Sequence, residues 1–352
     1  MTSKAFGLAQ LGNAYADGAL SNRNKIINGA MTIDQRNAGA AVTNIGPIYT
    51  VDRWTWFAQS GSGHNIQQVS DAPVGFDNSL KVTIGTGAAP SAAHQNIVWQ
   101  PIEGFNVADL NFGAVGAATV TFSFWAKSSI AGTYNVWIQN TGSARSYVST
   151  YTINAPNTWE KKSVTFAGDT TGTWLKTNGV GLFAGFSFGC GSNFNGTANT
   201  WASGNVKSTL GATNLIATNG ATWQVTGVQL EAGDTATPFE HRSYGAELAL
   251  CKRYYQRLRQ GLAGRVESST GIGGAMAFPV EMRAGPTQTL LDGTSAWWVP
   301  GIGQYTITGT LDYNSSPIGF HIAAQVSGSP TTGNMAFLTL RTNDIYAFSA
   351  EL

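Results

Sequence analysis

Charge is what this sequence has least of. Of its 352 residues, 20 are Lys or Arg and 19 are Asp or Glu, so 11% of the chain is charged, less than half of the roughly 25% usual in soluble domains. A net charge of +1 gives no field with which to gather phosphates, which argues against a nucleic-acid binder. Cysteine is scarcer still. Cys190 and Cys251 alone exclude a disulfide framework and a zinc site, and both are expected as reduced, buried thiols. The four histidines, His64, His94, His241 and His321, are far apart in the chain, so neither a metal nor a cofactor is expected. No apolar run approaches the roughly 18 residues of a membrane helix, and no membrane insertion is expected. The opening residues, Met1 to Gly7, lack a compact hydrophobic stretch, so the expectation is synthesis and folding in a cytoplasm.

In place of charge stand 43 Gly together with many Ser, Thr and Asn, while 11 Trp, 11 Tyr and 17 Phe supply enough apolar area to repay chain entropy. Residues 1–24 form a small-residue arm in which Phe6, Leu8, Leu11 and Tyr15 are spaced as on a weak helix, too short and too rich in Gly to fold alone. From 25 to 242 the pattern is short alternating runs broken by Gly, Asn, Ser and Pro, the reading of an antiparallel all-β unit. Val120, Phe122, Phe124 and Ala126 alternate with Thr121, Ser123, Trp125 and Lys127. Tyr134, Val136 and Ile138 likewise oppose Asn135, Trp137 and Gln139. Segments 162–166, 181–188 and 222–230 are further predicted strands.

Residues 243–260 differ. Tyr244, Leu248, Cys251, Tyr255 and Leu258 recur at helical steps behind Ser243 as a predicted N-cap, with Glu247 early and Lys252, Arg253, Arg257 and Arg259 late, the order that suits the helix dipole. The basic run is either a contact surface or the solvated face of a linking helix. From 261 to 352 a smaller β domain is predicted, with strands at 277–280, 305–308, 319–326 and 335–340. Gly271 to Met276, which lacks a following Lys-Ser or Lys-Thr and a helix, reads as a turn and not a phosphate loop.

No catalytic constellation is legible. The nearest carboxylate pairs, Glu231 with Asp234 and Glu240 with Glu247, each sit beside a turn or a cap, and neither marks a glycosidase pair. The aromatic residues are the best functional handle, because aromatic rings cover the apolar face of a sugar while Asn, Gln, Ser and Thr bond its hydroxyls. Trp125 and Trp137 each fall on the polar face of a predicted strand; if those strands pair, the two indoles share one surface. A sugar platform, a subunit interface and burial beneath a second sheet are the three readings. Trp297 and Trp298 form a second candidate pair.

Asn24-Lys25-Ile26-Ile27-Asn28-Gly29-Ala30-Met31, then Asp34-Gln35-Arg36 and Asp52-Arg53-Trp54, resemble the start of a module of bacteriophage tail-fibre and head-appendage proteins. Phe122 to Lys127 resembles its central strand. Val228 to Glu240, followed by Tyr244 to Tyr255, is similar to its closing strand and helix. The resemblance implies a jelly-roll β-sandwich like that of carbohydrate-binding modules, assembled as a homotrimer on a virion alongside other tail or capsid proteins, and it brings no catalytic residues. The expected role is a virion structural protein: a tail fibre or appendage contacting host-surface glycan, with the arm residues Phe6, Leu8, Leu11 and Tyr15 attaching it to the particle. Capsid decoration is the alternative, and a glycan depolymerase is a weaker one.

Overall fold

The computed structural model describes residues 22–43, 46–257, 262–291, 296–339 and 346–352. Phe6, Leu8, Leu11 and Tyr15 lie outside the described residues. The chain forms two compact units, one running to Glu247 and taking in Leu352, the other spanning Leu248–Glu351. No described helix is long and apolar enough to cross a membrane.

The first unit is a jelly-roll β-sandwich. One sheet has the order β1 (Val42–Thr43), β4 (Asn65–Val69), β5 (Ser79–Thr83), β13 (Thr222–Ala232), β7 (Val120–Ser128), β10 (Glu160–Phe166). The other has the order β12 (Thr200–Ser203), β9 (Arg145–Ile153), β8 (Gly132–Gln139), β11 (Val180–Ser187), β6 (Asn96–Glu103), β3 (Thr55–Ala58), β2 (Ile48–Tyr49). Successive side chains of a strand point to opposite faces. Val120, Phe122, Phe124 and Ala126 therefore enter the space between the sheets and meet Tyr134, Val136, Ile138 and Phe186, all fully buried. Phe186 packs edge-on to Phe124 at 4.9 Å and against Trp223 at 5.0 Å, contacts that add to area burial.

The Asn-Gly stretch near the start of the described chain bonds to β13: the Lys25 N–H donates to the Leu230 carbonyl at 2.8 Å and the Val228 N–H to the Gly29 carbonyl at 2.9 Å. Asn28 has a left-handed backbone, φ 57°, which Asn tolerates better than most residues. Its amide nitrogen donates to the carbonyls of Ile33 and Asp52 at 2.8 and 3.0 Å, and its amide oxygen accepts from the Ile33 N–H at 2.9 Å. Gly29 has no side chain because a Cβ there would fall 2.1 Å from the Val228 carbonyl oxygen. Replacing Asn28, which is 0% exposed, by Ala orphans two buried backbone groups, the Ile33 N–H and the Asp52 carbonyl, and is expected to destabilise the sandwich by about 2 kcal/mol, read as a lower urea midpoint with an unchanged slope.

The helix α1 (Tyr244–Lys252) is shorter than the 243–260 that its periodicity predicts. Ser243 does cap it, its Oγ accepting the Ala246 N–H at 3.3 Å. Tyr244 is 64% exposed and not part of a buried stripe. The helix ends because Tyr255–Arg257 leaves as a strand, so Arg257 of the basic run is not helical. Leu258 and Arg259 lie outside the described residues.

The second unit is also β. A closed barrel has the order β15 (Ala263–Ser268), β16 (Gly271–Ala277), β20 (Gly319–Val326), β19 (Gly303–Ser316), β18 (Ala296–Val299), β21 (Met335–Thr339), and β14 (Tyr255–Arg257), β22 (Tyr346–Ser349) and β17 (Thr287–Leu290) form a small separate sheet. Val266, Ile272, Trp297, Ile322 and Leu338 fill its core. Two expectations fail here. Gly271 to Met276 is no turn but the barrel strand β16, and its glycines serve close backbone approach: a Cβ on the facing Gly264 would sit 2.0 Å from the Gly273 carbonyl oxygen. The predicted strand at 277–280 is only the last residue of β16, after which Phe278, Pro279 and Val280 leave the ladder.

Candidate functional site

The side chains that alternation sends outward from the second sheet make the candidate site. Register sets them in rows across the strands. Thr55, Trp99, Gly185 and Trp137 stand side by side on β3, β6, β11 and β8. Phe57, Ile97, Ser187 and Asn135 form the next row, and Pro101, Phe183 and Gln139 form the row on the other side.

A loop roofs half of this face, and the outward polar residues hold it down. Gln139 donates to the Asn205 side chain at 2.9 Å, Ser187 Oγ to the Lys207 carbonyl at 2.7 Å, and Asn135 Nδ2 to Thr209 Oγ1 at 2.9 Å. Ser146 Oγ donates to the Gly204 carbonyl at 2.6 Å and accepts the Val206 N–H at 2.9 Å. Beneath the roof Trp137 is 1% exposed. Over its ring lies the Lys207 Nζ, 5.0 Å from the centroid, 5.9 Å from the Phe194 ring, and donating to Gln95 Oε1 at 2.9 Å. Burial pulls the Lys207 ammonium down to about 8, with the neighbouring Cys190 opposing the shift. Burial also pushes the Cys190 thiol up.

The other half of the face, on β3, β6 and β11, is open. Phe57, Trp99 and Phe183 are half-buried there and pack against a small cluster of Ile97, Trp137 and Val148. Gly185 makes the floor between the two indoles: a Cβ on it would stand 2.6 Å from Trp137 Cζ2 and 2.8 Å from Trp99 Cβ. Cζ2 lies on the side of the indole that carries Nε1, so that side of Trp137 is turned to Gly185. Two polar atoms in this row, Trp137 Nε1 and Thr55 Oγ1, are buried without a hydrogen-bond partner among the described residues. Buried polar groups are nearly always paired in a folded protein; these two exceptions are enclosed by the packing around the shelf and are not part of its exposed surface.

Gly185→Ala tests the shelf. The added methyl forces Trp137 or Trp99 aside, and overpacking of this kind costs about 1–3 kcal/mol. The expected result is a lower melting temperature together with altered near-UV circular dichroism.

No protein-family model matches the sequence, and no curated protein matches it. Among solved structures the chain is similar to the enzymatically active domain of tailspike protein 4 of bacteriophage CBA120, at 13% identity and TM-score 0.34, over 60% of this chain and 22% of that one. It is similar also to a Bacteroides thetaiotaomicron protein described as sugar-binding, at 13% identity and TM-score 0.35, over 60% of this chain and all of that one. A third is a family 11 carbohydrate-binding module of Clostridium thermocellum in complex with a mixed-linked tetrasaccharide, at 13% identity and TM-score 0.28, over 57% and 98%.

The tryptophans singled out from the sequence are dispersed. Trp125 and Trp137 do not share a surface. Their strands lie in different sheets, because the connection between Ser128 and Gly132 carries the chain across the sandwich, so the two indoles face outward on opposite sides. Neither is buried beneath a second sheet: a loop covers Trp137, and Trp125 is half-buried beside Lys161 and Thr226. Trp297 and Trp298 are no pair either, since adjacent strand residues point to opposite sides. Trp297 is 1% exposed inside the barrel, while Trp298 is 41% exposed outside it, 6.1 Å from Phe337.

The outer face of the first sheet is already internally bonded. Asp71 accepts from Gln224 and from Trp159 Nε1 and pairs with Lys127, which holds its carboxyl below the usual range. The carboxylate pairs have structural partners. Glu231 accepts from Gln229 and Thr237, and Glu240 from the Asn22 and Asn24 N–H groups. Arg242 bridges Glu240 at 3.5 Å and Glu247 at 3.4 Å. Among the described residues no group of three or more His, Cys, Asp or Glu is placed to hold a metal ion.

Proposed function

We propose that the sandwich binds glycan on the aromatic shelf of its second sheet, and that the chain is a non-enzymatic structural protein of a bacteriophage virion, a trimeric tail fibre or appendage that contacts the host surface. The observation that carries the glycan reading is the row Thr55, Trp99, Gly185, Trp137. In it a half-buried indole, Trp99, offers a flat apolar surface, flanked in the adjoining rows by half-buried Phe57 and Phe183. Sugars lay their apolar faces on such rings. The virion reading is supported by the likeness of the segments 24–36, 52–54, 122–127 and 228–255 to phage appendage modules. Both carboxylate oxygens of Glu231 and Glu240, and Oε1 of Glu247, are engaged in structural bonds, which supports a role without hydrolysis.

A printed array of oligosaccharides, followed by titration calorimetry on the tightest member, tests the glycan reading. Saturable binding that survives in the intact chain supports it, and no binding to any member rejects it. Antibody labelling of particles separates the placements: label at the tail is expected, and label over the shell assigns the chain to capsid decoration instead. Light scattering is expected to give the mass of a trimer.

A further inference from the structure

The roofed half of the site places an uncompensated cation at the end of the open half. Ser187 and Ile97 share a row on the sheet, and Ser187 Oγ holds the Lys207 backbone over β11. From there the Lys207 side chain crosses Trp137 and reaches Gln95, which precedes Ile97 by two residues and so points to the same face. The ammonium thus stands beside the row that holds Phe57 and Ile97, at the border of the shelf. An ammonium has three donors, and Gln95 Oε1 takes one of them. Lys207 is 6% exposed and joins no ion pair among the described residues. Around it stand Trp137 from β8, Ser187 from β11, Cys190 and Phe194 from the segment that follows β11, and Gln95 just ahead of β6. Cys190 is the one titratable group among these, and its thiol is neutral at physiological pH. Burying a cation without a counter-charge is costly, and a carboxylate supplied by a ligand relieves that cost.

We infer that the shelf selects acidic glycans, with a uronate or similar sugar carboxylate taken by the Lys207 ammonium at the shelf's end. This rests on the glycan reading above and names the sugar class of the same site.

The test uses the intact chain and an array in which each uronate-containing oligosaccharide is paired with its carboxyl-reduced neutral counterpart. The acidic member of at least one pair is expected to bind ten-fold tighter or more. Lys207→Met, which keeps an unbranched apolar stem, is expected to bring the two within two-fold. A second measurement needs no variant. Raising the pH from 6.5 to 9.5 discharges the amine, whereas the sugar carboxylate stays ionised throughout, so the acidic preference of the wild-type chain should vanish over that range. Equal binding of paired members, or a preference that ignores both the substitution and the pH, overturns the inference and leaves the shelf standing. Failure of every member to bind rejects both.

Discussion

Replacing Trp99 by Ala is expected to weaken binding of the tightest array oligosaccharide about thirty-fold, with the fold unchanged. The magnitude follows from the ring's position. Trp99 is half-buried at the centre of the shelf, so truncation removes a sugar-facing indole surface worth about 2 kcal/mol, which is roughly thirty-fold in affinity. The same substitution at Trp125 provides the control. That residue is also a half-buried strand tryptophan, but it lies on the outer face of the opposite sheet, and its loss is expected to leave the affinity within two-fold. Calorimetric titration of both variants reads the difference. Equal losses at the two positions would place the binding surface elsewhere, and a loss at Trp125 alone would move it to the first sheet.

The second large effect concerns stability. Lys207→Met is expected to stabilise the sandwich by about 2 kcal/mol at pH 7. Lysine's ordinary value is 10.5, and burial lowers it to about 8 in the folded chain. Between these two pH values the unfolded chain holds a proton that the folded chain has released, so the Lys207 contribution to stability improves as pH rises from about 8 to about 10.5. Below about 8 the amine is charged in both states, and the cost of burying it is fully present. The variant is free of that cost, less what it loses in the Gln95 hydrogen bond and the contact with the Trp137 ring. Its advantage over the wild-type chain should therefore be largest at pH 7 and below and disappear by pH 10.5. Denaturant titration followed by tryptophan fluorescence, run on both chains at pH 7 and pH 10.5, measures it. A variant less stable than wild type at pH 7 would show that the Gln95 hydrogen bond and the Trp137 contact outweigh the cost of burying the ammonium. Residues that weaken the fold where they stand are the ones a binding function retains.

Much of the fold was legible because strand periodicity is local. Val120, Phe122 and Phe124 read as one buried face and are buried; the alternation of Tyr134, Val136 and Ile138 also held. The helix was legible in its start, where Ser243 caps the first turn, but not in its end, because the pairing of Tyr255–Arg257 with β22 is made to residues about ninety positions away in sequence. Gly271 to Met276 was misread for a related reason. Glycine in a run signals a turn locally, whereas here it permits two barrel strands to approach.

The site was less legible than the fold. Trp99, Phe57 and Phe183 were missed, although Gly185 inside an apolar strand was a signal that something approaches closely there. Asn135 and Gln139 read as the polar face of a strand, yet they anchor a roof that arrives from more than sixty residues away. The sequence by itself determined the all-β class, the period and inner face of the main strands, and the scarcity of charge that makes Lys207 conspicuous. Tertiary structure alone decided which outward face is open, which tryptophan it exposes, and where that one cation stands, since these depend on which strands share a sheet and which loop lies across them.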